Sequence, residues 1–216
     1  MIETTSTTAP LKDPPQLDSY VLIKKLGESL QAKVYQGYHK HIPECPLVVK
    51  YLKQLSSWDN QSRHLRQKID RLRVLHDPRT CTPLTLESNN NDQFIIQPLL
   101  NGQPLNVWTA RQQTLKLADF FRLACSLANT VRSVHDAGIP HGGIKPHNIL
   151  VQAGSLNLRL IDFITSLDSR DVSHFIYDPE FVSNTLAYTS PKQSGGINYR
   201  VDFSTDLYSL GAESLS

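Results

Sequence analysis

The hydrophobic pattern divides the chain into a part with strand signals followed by a part with a long helix. Short apolar runs bounded by turn residues predict strands, at Tyr20–Ile23, Val34–Tyr35, Leu47–Lys50, Thr82–Leu86 and Gln93–Leu99. The first two of these strands are expected to form a hairpin. Apolar residues recur at helical spacing over Ser56–Leu75, and again over Leu115–Ala137, where Gly138 follows as a stop signal. Both segments are predicted helices, and the second is the stronger prediction because its apolar stripe is unbroken.

Composition narrows the class of protein without naming a function. The 216 residues are 39% hydrophobic and 19% charged, and the formal net charge is +2. This balance is typical of a soluble globular chain and argues against nucleic acid or an anionic membrane surface as the main partner. No apolar run approaches the ~20 residues that span a bilayer. Residues 1–17 are rich in Thr and Pro and lack the features of a signal peptide, so they are expected to be a disordered leader.

The cysteines and histidines indicate neither disulfides nor a metal site. Cys45, Cys81 and Cys125 are scattered and form no C-x-x-C, so we expect reduced thiols and a cytoplasmic location. His39 and His41 lie close together in sequence. Solvated loop histidines explain that pair better than a metal site does, because no further ligands stand at metal spacing.

One stretch carries a specific chemical pattern. Residues 139–151 read IPHGGIKPHNILV. The pattern H-x-x-I-K-P-x-N-I-L resembles the catalytic loop of eukaryotic-type protein kinases, H-R-D-L-x-x-x-N. The resemblance implies that Lys145 contacts the transferred phosphate and that Asn148 is a metal ligand. The family has Arg and Asp after the His, and here Gly142 and Gly143 stand in their place, so Gly143 marks the position of a missing catalytic base.

Other stretches extend the resemblance over residues 20–216 and imply a site for ATP and Mg²⁺. The glycine-rich loop pattern G-x-G-x-x-G-x-V falls on the stretch that begins at Gly27, and V-A-I-K falls on the strand that ends in Lys50, the phosphate-directed lysine. Asp162, which opens a turn resembling D-F-G, would be the second metal ligand. The residues implied to line the nucleotide site are Gly27, Ser29, Ala32, Val34, Val48, Lys50, Ile96, Leu99 and Leu150. Among them Ile96 is expected behind adenine, and the Leu99 N–H is expected to face it.

The chain departs from the family at further positions. Lys68 stands where a Glu should pair with the strand lysine, and a second cation there should repel it. Ile164 replaces the glycine of D-F-G, and Lys192 replaces the Glu of the A-P-E motif. By the same resemblance, His141 is a structural residue, and Asp206 anchors the backbone of the catalytic loop.

The resemblance implies an α+β, protein-kinase-like two-lobe fold with a β-rich N-lobe and an α-rich, incomplete C-lobe. Its expected boundaries are 1–17 for the leader, 18–100 for the N-lobe and 101–216 for a partial C-lobe through the start of its axial helix. Residues 190–211 look most like kinase-like domains that head large multidomain ATPase, GAF and histidine-kinase signalling proteins. We expect an exposed apolar patch near Leu207–Leu215, and hence poor solubility or a protein partner.

Three functions remain open from the sequence. The first is a degenerate kinase-like module, a pseudokinase with a nucleotide cleft, that acts in signalling by binding a protein or further domains of its own protein. The second is an active Ser/Thr kinase that transfers the γ-phosphate of ATP. The third is a non-functional fragment of a longer kinase-like protein. Neither nucleic acid nor a membrane is an expected partner, and the basic positions between Arg63 and Arg73 are interpreted as a solvated helix face.

Overall fold

The computed structural model describes residues 15, 17–28, 32–52, 58–89, 92–112, 114–152, 154–163, 186–193 and 202–213. The described residues fall into two compact units. The first unit contains those up to Asp70 together with Pro83–Leu99, and the second contains Arg71–Thr82 together with those from Leu100 onwards. Ser29, Ile164, Leu215 and most of the predicted leader lie outside the described residues.

The first unit is built on a five-stranded antiparallel sheet with the order β1-β2-β3-β5-β4. Its strands are β1 (Tyr20–Glu28), β2 (Ala32–His39), β3 (Ile42–Leu52), β4 (Thr85–Asn89) and β5 (Asp92–Pro98). The hairpin predicted near the start of the chain is confirmed, because β1 and β2 pair directly. One apolar cluster fills the core of this unit, and its fully buried members are Tyr35, Leu47, Val49, Phe94 and Ile96.

Leu17 corrects the predicted extent of the leader. Its side chain packs against the core of the first unit, and its carbonyl accepts a hydrogen bond from the Tyr20 N–H at 3.2 Å. An apolar side chain next to an apolar core gains free energy by leaving water, and this explains why Leu17 belongs to the first unit.

Strand β3 is longer than predicted and begins at Ile42 instead of Leu47. In residues 42–46, Ile42 pairs with His39 and Pro46 with Tyr38 of β2, and the ladder with β5 ends opposite Leu47. Proline cannot donate to a strand ladder and is tolerated where one side of a strand has no partner. Pro46 lies in that stretch, and the sequence pattern therefore marked only the fully paired part of the strand.

Strand β4 begins at Thr85, three residues after the predicted start at Thr82. Residues 79–81, a little earlier in the chain, are bonded elsewhere: the Cys81 N–H donates to the Leu160 carbonyl at 2.8 Å, and the Leu160 N–H donates to the Arg79 carbonyl at 2.7 Å. These bonds belong to the second unit. Strand β4 therefore begins only at Thr85, after the residues that form these bonds.

Helix α1 (Trp58–Leu72) is the first predicted helix; it ends at Leu72 instead of Leu75, and the predicted start at Ser56 lies outside the described residues. Ile69 and Leu72 are buried at i, i+3 spacing, whereas Arg63, Arg66 and Arg71 are exposed. This arrangement agrees with the interpretation of the basic positions as a solvated face.

The second unit combines helices with a small sheet of order β6-β7-β8. Its elements are β6 (Gln103–Pro104), α2 (Leu105–Ala110), α3 (Leu117–Asp136), β7 (Ile149–Val151), β8 (Leu158–Leu160) and α4 (Phe203–Glu213), with 3-10 turns at Pro146–Asn148 and Leu186–Tyr188. The predicted long helix is confirmed as α3. It ends as expected at Gly138, whose φ of +73° is a left-handed conformation that glycine adopts without strain. The buried face of α3 packs on the residues of β7 and β8.

Helix α4 buries polar residues and exposes apolar ones. Thr205, Asp206 and Ser209 are buried, while Leu207 and Tyr208 are 59% and 46% exposed. The described part of the predicted apolar patch is therefore exposed at these two positions. Among the helices described, none has the length and apolar character needed to cross a membrane.

Gly37 supplies a test of the first unit. A Cβ at this position would lie 2.4 Å from the Val21 carbonyl oxygen, which is backbone and cannot rotate away. We expect Gly37→Ala to lower the free energy of unfolding by roughly 1–3 kcal/mol, the usual cost of overpacking, in urea denaturation. Gly27→Ala is the matched control, because a Cβ there would meet nothing within 4 Å. Equal stability of the two variants would contradict the close approach of β1 to β2.

Candidate functional site

The backbone of residues 141–143, called here loop 141–143, is bonded to side chains. The Asp206 carboxylate accepts the His141 N–H and the Gly142 N–H, each at 2.7 Å. The Gly142 carbonyl accepts from Gln193 Nε2 at 2.8 Å, and the Gly143 carbonyl accepts from Asn148 Nδ2 at 2.8 Å. Four hydrogen bonds to side chains later in the sequence therefore hold the backbone of the loop in place. The predicted anchoring role of Asp206 is confirmed.

Asp206 is the centre of this arrangement. It is 0% exposed, and besides the two backbone N–H groups it accepts a hydrogen bond from His135 Nε2 at 2.8 Å. A buried carboxylate is stable only when its oxygen lone pairs have donors, and here three donors converge on it. Gly142 has φ +76°, and its lack of a Cβ lets two successive N–H groups turn towards one carboxylate.

His141 is a structural residue, as the sequence predicted. It is 1% exposed, and its ring lies against the ring of Phe163 with centroids 4.6 Å apart. The Gly143 N–H donates to Nδ1 at 3.1 Å, so Nδ1 carries no hydrogen and Nε2 donates to the Ile161 carbonyl at 3.0 Å. Both ring nitrogens are thereby engaged within the fold, so neither is left to accept a proton in a reaction.

Gly143 leaves the position of the predicted base without a side chain. A Cβ built on it would have as its nearest neighbour Asn148 Nδ2 at 3.7 Å, an ordinary contact, and its φ is not left-handed. Lys145 follows in an extended conformation with φ −161°, and its carbonyl accepts the Asn148 N–H at 2.8 Å. The loop is thus ordered around a position that lacks a proton acceptor but has room for a Cβ.

Asn148 and Asp162 are brought to the same end of the β7–β8 hairpin. Ile149 pairs with Leu160, and the Ile161 N–H donates to the Asn148 carbonyl at 2.9 Å, so Asp162 follows directly after a residue bonded to Asn148. Because the Asn148 amide nitrogen is bonded to Gly143, its oxygen is the atom left to act as a ligand. A carboxylate and an amide oxygen are hard ligands of the kind Mg²⁺ takes, together with phosphate oxygens. This pair of residues fits a Mg²⁺–nucleotide complex.

The surroundings of Asp162 are unusual in two ways. Its φ of +68° is left-handed, a conformation that costs most non-glycine residues roughly 1–2 kcal/mol, although Asp tolerates it better. Burial raises the pKa of the nearby Cys81 thiol to about 11, and the negative charge of Asp162 contributes in the same direction. Cys81 is therefore a protonated, unreactive thiol at neutral pH. Within the part of the chain that is described, no group of three or more His, Cys, Asp or Glu residues forms a metal site of its own.

Three of the predicted nucleotide-site residues of the first unit share one face of the sheet. Val34 pairs with Lys50, and side chains alternate along a strand, so Val48 lies on the same face two residues before Lys50. Lys50 is 6% exposed on that face. Ile96 does not belong with them: it pairs with Val49 and lies in the apolar core on the opposite face. The prediction for Ile96 is wrong by one residue, because strand pairing puts Gln97 opposite Val48.

The predicted role of Leu99 also needs correction. Its backbone N–H donates to the Pro46 carbonyl at 3.2 Å and therefore does not face outwards to a ligand. Gly27 pairs with Val34 and is exposed, whereas Ala32 is fully buried at the start of β2.

Leu150 lies in the second unit, where it pairs with Pro104 in the small sheet. A Cβ at Gly102 would come within 3.2 Å of the Leu150 Cβ, so glycine there allows the close packing. The roles of Leu150, Lys50, Lys145 and the remaining predicted nucleotide-site residues towards ATP stay predictions, as does the effect of Lys68 on Lys50.

Sequence reasoning missed the contacts of the short segment 188–193. Lys192 Nζ donates to Asp202 Oδ2 at 2.9 Å and to Ser204 Oγ at 2.7 Å. Hydrogen bonds from Ser204, followed by Lys192, lower the pKa of the Asp202 carboxyl to about 2. Asp202 precedes α4 and also accepts the Ser204 N–H, so an N-cap signal was present in the sequence. Gln193 had no such signal, because its partner is a backbone carbonyl far away in the chain.

Asp206 allows a direct test of the loop's anchor. In Asp206→Asn one acceptor oxygen becomes an NH₂ group, so a buried N–H of loop 141–143 loses its partner. We expect the free energy of unfolding to fall by on the order of 3 kcal/mol in urea denaturation. Asp202→Asn is the control for the same chemical change at an exposed position, and asparagine caps a helix as well as aspartate does. A similar small loss in both variants would show that the loop does not depend on Asp206.

Comparisons with known proteins agree on one family. Residues 20–214 match the model of the protein kinase domain. Serine/threonine-protein kinase D of Synechocystis is 30% identical over 213 residues, which cover 90% of this chain and 39% of that protein. The DNA damage-responsive serine/threonine-protein kinase RqkA of Deinococcus radiodurans is 29% identical over 196 residues, covering 89% of this chain and 28% of that protein. The chain thus spans less than half the length of these relatives.

Solved structures show the same fold. The kinase domain of PknI from Mycobacterium tuberculosis superimposes with a TM-score of 0.71 at 18% identity, covering 95% of this chain and 76% of that structure. Rad53 in complex with AMP-PNP superimposes with a TM-score of 0.69 at 19% identity, covering 91% of this chain and 47% of that structure. The predicted α+β, kinase-like two-lobe fold is confirmed. The family model matches nearly the whole chain, and the loop is anchored on a buried aspartate as in the motifs of the family. This chain therefore belongs to the protein kinase domain family.

Proposed function

We propose that this protein kinase domain is catalytically impaired and acts by binding, as a pseudokinase module in cytoplasmic signalling. The observation that carries the proposal is Gly143. All three backbone N–H groups of the loop are bonded, yet the position that supplies the proton acceptor in the family has no side chain. His141 cannot take over as base, because both of its ring nitrogens are engaged. Loss of a general base typically slows such a reaction by ~10²–10⁴.

Nucleotide binding is part of the proposal. Val34, Val48 and Lys50 share a sheet face, and Asn148 and Asp162 lie at one end of a hairpin with oxygen ligands suited to Mg²⁺. Bound ATP and Mg²⁺ would supply the phosphates and the metal charge, while these residues would hold and orient them. The partner is proposed to be another protein or further domains of the same protein, because the whole relatives are longer than this chain.

The alternative of an active Ser/Thr kinase has support from the same residues. Lys50, Lys145, Asn148 and Asp162 keep the residue types that the family uses. Phosphoryl transfer depends largely on positioning and electrostatic stabilisation, so a domain without the base can retain slow transfer. A rate measurement is needed to separate the two functions.

Restoring the base tests the proposal. We expect Gly143→Asp to transfer radiolabelled phosphate from ATP to a generic protein substrate or to itself at least ~100-fold faster than the unmodified chain. The structure permits this variant, because a Cβ at Gly143 would meet its nearest neighbour at 3.7 Å. Gly143→Asn is the matched control, with the same shape and no proton acceptor. Equal transfer by the unmodified chain and Gly143→Asp would overturn the proposed impairment.

Nucleotide binding is tested separately by thermal unfolding. ATP with Mg²⁺ at about a hundred times the dissociation constant should stabilise the folded chain by ~2.7 kcal/mol and raise the melting temperature. Asp162→Ala should abolish the part of this shift that depends on Mg²⁺. Asp136→Ala, which removes an exposed carboxylate at the end of α3, should keep the full shift. If the melting temperature of the unmodified chain does not shift, nucleotide binding is ruled out, and the remaining proposal is a binding module that does not use nucleotide.

A further inference from the structure

We propose that Gln193 is a positioning residue, which sets the conformation of loop 141–143 through the Gly142 carbonyl. Gln193 is 7% exposed, and its Nε2 donates to that carbonyl at 2.8 Å across 51 residues of sequence. No motif of the chain assigned a role to this side chain. The inference concerns how the loop is held and stands whether or not the domain transfers phosphate.

Gly142 is bonded on both sides by buried side chains. Its N–H donates to Asp206 Oδ1 and its carbonyl accepts from Gln193 Nε2. The two bonds fix the peptide groups before and after its Cα, and thereby fix a residue with φ +76° in place. Because Gly143 follows directly, the carbonyl bonded to Gln193 belongs to the peptide group that carries the Gly143 N–H.

The chemistry of the contact selects glutamine. A carbonyl oxygen can only accept, so the atom facing Gly142 must be a donor. On the other side, the Ser190 N–H donates to Gln193 Oε1 at 3.2 Å, so the second atom must be an acceptor. A carboxamide supplies one of each from a single rigid group. A carboxylate has no donor for Gly142, and an alkyl side chain has neither atom.

The backbone of Gln193 and the residues just before it are also held by hydrogen bonds. The Gln193 N–H donates to the Ser190 carbonyl at 2.8 Å, which closes a tight turn. Just before this turn, Ser209 Oγ of α4 donates to the Tyr188 carbonyl at 2.7 Å. Segment 188–193 is thus bonded to α4, the helix that also carries Asp206. Helix α4 therefore reaches Gly142 by two routes: directly through Asp206, and through segment 188–193 and Gln193.

Hydrogen exchange of the backbone amides, followed by mass spectrometry on the full chain without nucleotide, tests the inference. Gln193→Leu keeps the side-chain bulk and removes both bonding atoms. We expect the amides of residues 141–144 to exchange at least tenfold faster in this variant. Lys192→Gln is the matched control, because it removes the neighbouring contacts with Asp202 and Ser204 and leaves the Gly142 contact intact. It should leave exchange in residues 141–144 unchanged.

Faster exchange confined to residues 186–193 in Gln193→Leu would overturn the inference, because Gln193 would then support only its own segment. If that variant does not fold, Gln193→Glu replaces it. A protonated carboxyl has an O–H donor for the Gly142 carbonyl, whereas a carboxylate has none. Protection of residues 141–144 should therefore be present at low pH and be lost as the pH rises and the new carboxyl ionises. A protection profile that follows that of the unmodified chain at every pH would also overturn the inference.

Discussion

The Asp206 carboxylate is the interaction on which the second unit's loop depends. It is fully buried on α4 and accepts hydrogen bonds from His135 and from two successive backbone N–H groups of the loop. Burying a carboxylate costs several kcal/mol unless donors replace its lost water, and the loop supplies two of those donors. The dependence is mutual: the loop is ordered because Asp206 is there, and Asp206 tolerates burial because the loop is folded around it.

This arrangement separates the shape of the loop from its chemistry. None of the contacts that fix residues 141–143 uses a side chain at positions 142 or 143, because they go to Asp206, Gln193, Asn148 and His141. Replacing Arg and Asp by two glycines therefore removes functional groups without removing the bonds that hold the backbone. A binding function can survive on such a scaffold after the reaction is lost, and this is the physical basis for proposing an impaired kinase domain with an ordered loop.

The sequence predicted features that depend on local pattern and motif, and failed where distant pairing decides. The helix α3 and the β1–β2 hairpin followed from apolar period and turn residues, and the anchoring role of Asp206 followed from the resemblance to protein kinases. Ile96 was placed on the wrong face of the sheet. Side chains alternate between two faces along a strand, and only the pairing of β5 with β3 shows which face Ile96 occupies. Thr82 was assigned to a strand although its neighbours bond to Leu160, and no local signal revealed that pairing. Gln193 was missed because its bonding partner is a backbone carbonyl. Every residue has one, so nothing in the sequence marks Gly142 as the partner.

Two residues in the left-handed region near this site show how strongly it is constrained. Gly142 has φ +76° and Asp162 has φ +68°. Glycine adopts this region freely, but Asp162 has a Cβ and keeps a conformation that persists only where the surroundings determine it. Those surroundings are visible on both sides: the Ile161 N–H is bonded to the Asn148 carbonyl and its own carbonyl to His141 Nε2, while the buried Phe163 ring lies against His141. His141 thus connects the two left-handed residues, since it directly precedes Gly142 and its ring is bonded to the residues flanking Asp162. Helix α4 and the residues flanking the candidate metal ligand are therefore joined through a single residue, His141.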